Sequence, residues 1–486
     1  MDSAPGKISA FEKRLKRQVI GKPHRFLAVV PLGFEQTFVQ EMFGSSHDPI
    51  TYNIIGDGKV EFTAKLVEAW KIVAFSRIAN RVLMHIADFK AENFRDLERK
   101  ASEIPWELYL LDERRKTKDE RHVHIHVTCK HSRLYHSDAV AERLQKVIEG
   151  GSAPLATAPS SFRPPSRNLA EASATPSAGA PRNTPKAEEN VPPQNIYVTL
   201  IDDRCTVWLD LAGEELYKRG HERFVNDAPL KETIASAMLF ESISTLHIIH
   251  HQSPIINYPL SIALIDPMAG SGTFSLEAAY MANGFIPGKC RDFALKHQPA
   301  FKQATWDFLI RRETRDERRE KGNNILKIVT SDISERAVEI IQHNVECSPL
   351  AKSTTGEQAA PTVNPQHRDF FSYTAAEIAD ACPEGSSPVI VLNPPYGKRL
   401  DFDAPKLYTK IGKKLAELAR ELAPLGNALT VAILAPKDDP RPGSKYTCTA
   451  NLLRECPALD AAKNRDAKCI VTSHGGLSLN AIFARI

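Results

Sequence analysis

A buried strand that leads through a glycine loop into a helix constrains the fold of this 486-residue chain most. The run Ser261-Ile262-Ala263-Leu264-Ile265 is nearly all apolar, which is typical of a strand covered on both faces. Asp266-Pro267-Met268-Ala269-Gly270-Ser271-Gly272-Thr273 follows, and the apolar spacing then becomes helical. An acid at a strand end, glycines and a helix N-terminus predict a nucleotide-type site in a doubly wound α/β sheet. The glycine spacing matches neither the G-x-G-x-x-G fingerprint nor a P-loop.

A second strand ends in a loop that can orient an amino group. Asn393-Pro394-Pro395-Tyr396 directly follows the apolar run Pro388–Leu392. An asparagine oxygen and the next backbone carbonyl can accept both hydrogens of a planar, conjugated NH2 group, which directs the nitrogen lone pair at an electrophile. The prolines stiffen the loop and remove N–H donors, and the tyrosine ring can stack on a flat base. The loop therefore indicates methylation of a planar NH2 group; a simple strand-to-helix turn is the alternative.

Two further acids are expected at strand ends of the same sheet. Asp332 follows the strand-like run Lys327–Ser331, where an acid can bind both hydroxyls of a ribose. Asp369 precedes Phe370 and Phe371, a combination that suits an adenine amino group and a stacked purine face. The structural alternatives are a helix N-cap for Asp332 and a surface turn for Asp369.

Three blocks of sequence carry a family resemblance. They are Asp210–Gly220 with Ala228–Ala235, Asp266–Thr273, and Asn393–Leu400. Together they resemble the THUMP-domain guanine-N2 RNA methyltransferases, and most closely the bacterial enzymes that modify 23S rRNA of the large ribosomal subunit. The resemblance implies a class I (Rossmann-like) S-adenosylmethionine-dependent methyltransferase domain. It also implies a preceding α+β ferredoxin-like/THUMP RNA-binding region.

The resemblance also implies roles for the residues of the expected cofactor site. Asp266, Gly270 and Gly272 would hold the methionine end of S-adenosylmethionine. Asp332 would bind its ribose and Asp369 its adenine.

Other matched residues would handle the target base or line the pocket. Asn393, Pro394 and Tyr396 would orient and stack the target guanine, with Pro395 in the same loop. Pro229 and Lys231 fall in the block that opens the catalytic domain, and they would line the cofactor pocket.

The chain divides into three parts by composition and pattern. Residues 1–23 are rich in lysine and arginine and are expected to form a basic tail, either solvated or following a phosphate backbone. Residues 24–220 show an α+β pattern, interrupted at 151–193 by a Pro/Ala/Ser-rich segment that we expect to be disordered. Residues 221–486 would form the catalytic domain. The net charge of +4 is too small to indicate nucleic-acid binding by itself.

No metal and no membrane partner are expected. The eight cysteines lack C-x-x-C spacing, so we interpret them as reduced thiols of a cytoplasmic protein. His122, His124 and His126 share one strand face but cannot easily converge on one ion. No apolar run approaches the roughly 20 residues that a membrane helix needs.

The sequence thus predicts methyl transfer from S-adenosylmethionine to the exocyclic amino group of a flipped-out guanine, in 23S rRNA or a large-subunit assembly intermediate. A THUMP-type tRNA guanine methyltransferase would use the same residues. DNA adenine and protein-glutamine methyltransferases share the Asn-Pro-Pro-Tyr loop. A non-catalytic RNA-binding assembly factor is the remaining alternative.

Overall fold

The computed structural model describes residues 9–44, 50–110, 123–150, 192–226, 229–250, 261–320, 325–352, 361–396, 403–441 and 447–486. The side chains of residues 245–250 and 313–320 are outside this description. Several predicted features therefore lie outside the described residues: nearly all of the 151–193 segment, His122, Ala228 and the end of the third sequence block at 397–400.

The N-terminal unit is one seven-stranded sheet with helices, which confirms the predicted α+β pattern. Its strands are β1 (His24–Val29), β2 (Thr51–Gly56), β3 (Lys59–Ala64), β4 (Arg81–Lys90), β5 (Val123–Lys130), β6 (Gln194–Ile201) and β7 (Arg204–Asp210). Its helices are α1 (Ala10–Leu15), α2 (Glu35–Phe43), α3 (Leu66–Phe75), α4 (Phe94–Ser102) and α5 (Ser137–Ile148). The order is β2-β3-β1-β4-β7-β6-β5, and only the β5–β6 pair is parallel. The pairing of β4 with β7 joins strands β1 to β7 into one continuous sheet.

The C-terminal unit is the doubly wound sheet that the sequence predicts. Its strands are β8 (Ser261–Asp266), β9 (Ile325–Asp332), β10 (Pro365–His367), β11 (Ser386–Leu392), β12 (Thr430–Pro436), β13 (Ala467–His474) and β14 (Leu477–Arg485). Its helices are α6 (Glu232–His250), α7 (Thr273–Ala282), α8 (Gln303–Glu320), α9 (Glu335–Glu346), α10 (Ala375–Ala381), α11 (Ala404–Leu422) and α12 (Cys448–Glu455). The order is β10-β9-β8-β11-β12-β14-β13. Only β14 is antiparallel to its neighbours, β12 and β13.

The basic segment at the N-terminus differs from the tail expected over residues 1–23. Ser9 and Glu12 form a reciprocal capping box that starts α1, and residues 16–20 continue as a π-helical turn. Leu15 and Val19 are buried in the hydrophobic core. Residues 9–23 therefore belong to the folded N-terminal unit, because the apolar positions between the basic residues pack inward. Residues 1–8 lie outside the description.

A single hydrophobic core and a buried ion pair connect the two units. The core extends from Phe26 and Phe62 in the N-terminal sheet to Leu264 and Phe274 in the C-terminal unit. Arg219, between the units, donates from Nε and Nη2 to the two carboxylate oxygens of Glu277 on α7, each at 3.0 Å. Burial alone would raise the pKa of Glu277, but the charge and hydrogen bonds of Arg219 hold it below its ordinary value.

Replacing Arg219 with Ala should lower the free energy of unfolding by about 3–5 kcal/mol, because Glu277 would keep a buried charge without its main partner. Denaturant unfolding measures this loss. The control is Arg454→Ala, which removes an exposed arginine paired with Glu455 and should change stability by about 1 kcal/mol or less. Equal effects of the two substitutions would contradict the structural importance of the buried pair.

No helix among the described residues combines the length and apolar character needed to cross a membrane.

Candidate active site

Parallel pairing brings the predicted residues to one edge of the C-terminal sheet. Ile265 pairs with Ile390, so Asp266 and Asn393 follow the ends of neighbouring strands β8 and β11. Asp266 itself pairs with Thr330 of β9, which ends at Asp332. His367 of β10 pairs with Asp332, and Asp369 lies two residues beyond it. The four polar residues therefore lie at, or just beyond, the carboxyl ends of four adjacent strands. This is the edge where α/β sheets bind ligands.

The glycine loop has the backbone conformation that only glycine adopts without strain. Gly270 and Gly272 have φ values of +58° and +77°. A Cβ atom on Gly272 would lie 3.0 Å from Cγ1 of Ile341 on α9, so the packing of the loop against that helix also requires glycine. Gly272 is the N-cap of α7, so the first backbone N–H groups of that helix lie at the end of the loop.

Asp332 connects the glycine loop to the start of α9. Its Oδ2 accepts a 2.8 Å hydrogen bond from Gly270 N, and its Oδ1 accepts a 2.9 Å bond from Ser334 N. A carboxylate oxygen can accept more than one hydrogen bond, so both oxygens can still accept ribose hydroxyls. Ile333 beside it is 66% exposed, and this apolar side chain was missed by the sequence analysis. An apolar side chain between strand end and helix can cover one face of a purine.

Asp266 is buried beneath the loop. It is 1% exposed, and its Oδ2 accepts hydrogen bonds from Ser275 N at 3.2 Å and Ser275 Oγ at 2.8 Å. These bonds fix the first turn of α7. Burial raises the pKa of Asp266 to about 7, while the Ser275 bonds lower it. The described contacts give Asp266 a positioning role, and its contact with a methionine group stays a prediction.

Asp369 caps a short helical turn at the edge of the site. Its Oδ1 accepts a 3.1 Å hydrogen bond from Phe371 N. Phe370 is buried in the core, whereas Phe371 is only half-buried. The turn interpretation therefore applies, and binding of an adenine by Asp369 stays a prediction.

Pro229 and Lys231 lie in the segment that precedes α6. The carbonyl of Pro229 is 2.9 Å from Nε2 of His474. The Lys231 ammonium is 3.6 Å from a Glu215 carboxylate oxygen and lies over the ring of Tyr217. These described contacts are with the Glu215–Tyr217 segment and the β13–β14 hairpin, so their lining of a cofactor pocket stays a prediction.

The Asn-Pro-Pro-Tyr loop holds an acceptor without a donor. Oδ1 of Asn393 is buried, and no donor within the described residues reaches it. Pro394 is buried and Pro395 is exposed. Tyr396 packs against the core that connects the two units and against a second core around α11 and β12, and burial raises the pKa of its hydroxyl. A buried amide oxygen without a partner is costly, so this atom indicates that a ligand donates to it.

Two residues that the sequence analysis missed also hold the glycine loop and the start of α7. Arg223 donates from Nη2 to Thr273 Oγ1 at 2.6 Å and pairs with Glu232. Asn344 on α9 donates to the carbonyl of Ser271 at 3.1 Å. Asn344 is a buried polar residue in an otherwise apolar helix face, which is the one pattern that could have revealed it.

Comparison with known families assigns the part of the chain that contains this site. Residues 261–432 match the family model described as "RMKL-like, methyltransferase domain". This part of the chain is therefore similar to an RMKL-like methyltransferase domain. This match runs from β8 to the first residues of β12 and includes the glycine loop, Asp332, Asp369 and the Asn-Pro-Pro-Tyr loop.

Similar proteins support the assignment beyond the matched domain. Ribosomal RNA large subunit methyltransferase K/L of Psychromonas ingrahamii is 27% identical over 360 residues, 73% of this chain but only 40% of that protein. Putative RNA methyltransferase YpsC of Bacillus subtilis is 24% identical over 381 residues, covering 78% of this chain and 80% of the relative. The solved structure of SMU.472, a putative methyltransferase complexed with SAH, superposes with a TM-score of 0.63 at 20% identity. It covers 95% of this chain and 98% of its own, and shows that the two share a fold.

The Asp266→Asn variant should gain stability relative to the wild-type protein as the pH rises from 4 to 8. The folded-state pKa of about 7 lies above the ordinary value of 3.8, so the protonated form contributes stability that is complete below pH 3.8 and lost as pH rises through 7. The asparagine cannot ionise and avoids this loss. Melting temperatures of the two proteins between pH 4 and pH 8 measure the difference. The control is Asp380→Asn, which makes the same change in net charge at an exposed position. A difference that does not change with pH would contradict the buried neutral carboxyl.

Proposed function

We infer that this chain transfers a methyl group from S-adenosylmethionine to the exocyclic amino group of a guanine in RNA, most specifically 23S rRNA, in the cytoplasm. The observation that carries the proposal is the buried, unpartnered Oδ1 of Asn393 at the end of β11, within the described part of the chain. It lies one strand from the glycine loop that follows β8. An acceptor of NH2 hydrogens thus stands beside a site suited to a nucleoside cofactor.

The residues at the sheet edge fit S-adenosylmethionine. Asp332 would accept the ribose hydroxyls, Ile333 and Asp369 would contact the adenine, and the loop of Gly270 and Gly272 would face the methionine group. When bound, this cofactor supplies a methyl group on a positively charged sulfur. The space at Gly270 supports the fit, since among the described residues a Cβ there would meet only Nδ2 of Asn226, at 3.9 Å.

The Asn-Pro-Pro-Tyr loop would activate the guanine amino group by geometry. Oδ1 of Asn393 would accept one hydrogen of the amino group, and the carbonyl of Pro394 would accept the other. The two bonds draw the nitrogen toward tetrahedral geometry and direct its lone pair at the methyl group. Tyr396 would stack on the base. No covalent enzyme intermediate is required, because positioning and hydrogen bonding can account for the rate.

The choice of RNA rests on the N-terminal unit and on the relatives. Residues 24–220 resemble a ferredoxin-like/THUMP region, and we assign RNA binding to them. The names of the relatives from Psychromonas ingrahamii and Bacillus subtilis refer to ribosomal RNA and to RNA. The target guanine would be unpaired or flipped out of its stack, at a cost of a few kcal/mol, to reach the loop.

Replacing Asn393 with Ala should lower turnover by roughly 10²–10³-fold, because one positioned polar group is lost at the transition state. The dissociation constant for S-adenosylmethionine, measured by calorimetry, should stay within about threefold, since the cofactor contacts lie on other strands. Asn364→Ala, an exposed asparagine before β10, is the matched control. Near-normal turnover of the Asn393 variant would contradict the proposed mechanism.

A further inference from the structure

Three different metal-binding side chains meet where the segment that precedes α6 passes the C-terminal end of helix α9. A carboxylate oxygen of Glu222, an imidazole nitrogen of His343 and Sγ of Cys347 all lie within 4.8 Å of one another. All three residues are half-buried. We propose that these residues form a binding site for a transition-metal ion of the Zn²⁺ type.

The spacing and distance of the two helical ligands suit such an ion. His343 and Cys347 are four residues apart at the end of α9, so they project from the same side of the helix. Nε2 of His343 is 3.4 Å from Sγ of Cys347. Zn–N and Zn–S bonds of about 2.1 and 2.3 Å at a tetrahedral angle place the two ligand atoms about 3.6 Å apart. The helix C-terminus adds partial negative charge that favours a cation.

The third ligand comes from a segment that the structure holds in place. Phe224, two residues after Glu222, donates from its backbone N to Oδ1 of Asn344 at 2.7 Å, and its carbonyl accepts from Nδ2 of Asn344 at 2.9 Å. The Phe224 ring also packs edge-on against the His343 ring, with centroids 4.3 Å apart. Fixed backbone thus places the carboxylate of Glu222 beside α9. A side-chain movement of about 1 Å would bring its oxygen as close to the other two ligand atoms as a shared metal ion requires.

The site would connect the segment between the two units to the cofactor loop. Asn344 lies between the two helical ligands and also holds the carbonyl of Ser271. A metal ion bridging Glu222 to α9 would therefore stabilise the same helix turn that supports the glycine loop. Three protein ligands leave a coordination position for water. Metal binding at this site would not require the proposed RNA substrate. It differs from the sequence-based expectation that no metal binds.

This site could not be predicted from the sequence because its ligands are far apart in the chain. A His-x-x-x-Cys pair is an uncommon zinc spacing, and Glu222 lies more than a hundred residues before it.

Cobalt titration of the full-length protein tests the proposal directly. After chelator treatment and dialysis, one equivalent of Co²⁺ should produce a near-ultraviolet thiolate-to-cobalt absorption band, and Zn²⁺ should displace it. Cys347→Ser should abolish the band, and His343→Gln, which keeps the thiol, should weaken Co²⁺ binding at least tenfold. Cys469→Ser, which removes an exposed cysteine elsewhere, should leave the band unchanged.

A second measurement separates metal binding from simple folding defects. Zn²⁺ at one equivalent should raise the melting temperature of the wild-type protein and of Cys469→Ser, but not that of His343→Gln. Absence of a thiolate band in the wild-type protein would overturn the proposal. A band of equal affinity in Cys347→Ser would overturn it as well, since another cysteine would then hold the ion.

Discussion

The parallel pairing of β9, β8 and β11 is the constraint on which the rest of the site depends. Strands β8 and β11 are almost entirely buried and carry their polar residues at their ends, whereas β9 alongside β8 exposes Leu326 and Lys327. Because the three strands are parallel, their carboxyl ends lie at the same edge of the sheet. Residues separated by more than a hundred positions in the chain become neighbours for this reason alone.

Around that edge, the loops are held by hydrogen bonds among the site residues themselves. Asp332 accepts from Gly270 N, Asp266 accepts from Ser275, and Asn344 donates to the carbonyl of Ser271. These contacts fix the glycine loop and the start of α7 before any ligand arrives. Oδ1 of Asn393 differs from them, because within the described residues it lacks a donor. The glycine loop is thus preorganised, whereas the loop after β11 keeps an acceptor that no donor of the described residues reaches.

Much of this architecture could be predicted from the sequence because it depends on local patterns. Apolar runs predicted β8 and β11, and the Asn-Pro-Pro-Tyr loop predicts methylation of a planar NH2 group. Contacts between distant segments could not be predicted. The bond from Arg223 to Thr273 and the meeting of Glu222 with α9 arise only from tertiary packing. The basic N-terminal segment was misinterpreted for a similar reason. Leu15 and Val19 are buried by a core that residues from distant segments form, and the local sequence does not show that core.

The central claim is that the acceptor at Asn393 serves the amino group of an RNA guanine. The most direct test incubates the full-length protein with isotopically labelled S-adenosylmethionine and deproteinised 23S rRNA, tRNA, duplex DNA or ribosomal protein, and then identifies the labelled product by mass spectrometry. The proposed function predicts label in N2-methylguanosine, and predominantly from 23S rRNA. Label in N6-methyladenine of DNA, in methylglutamine of protein, or in no substrate at all would contradict it.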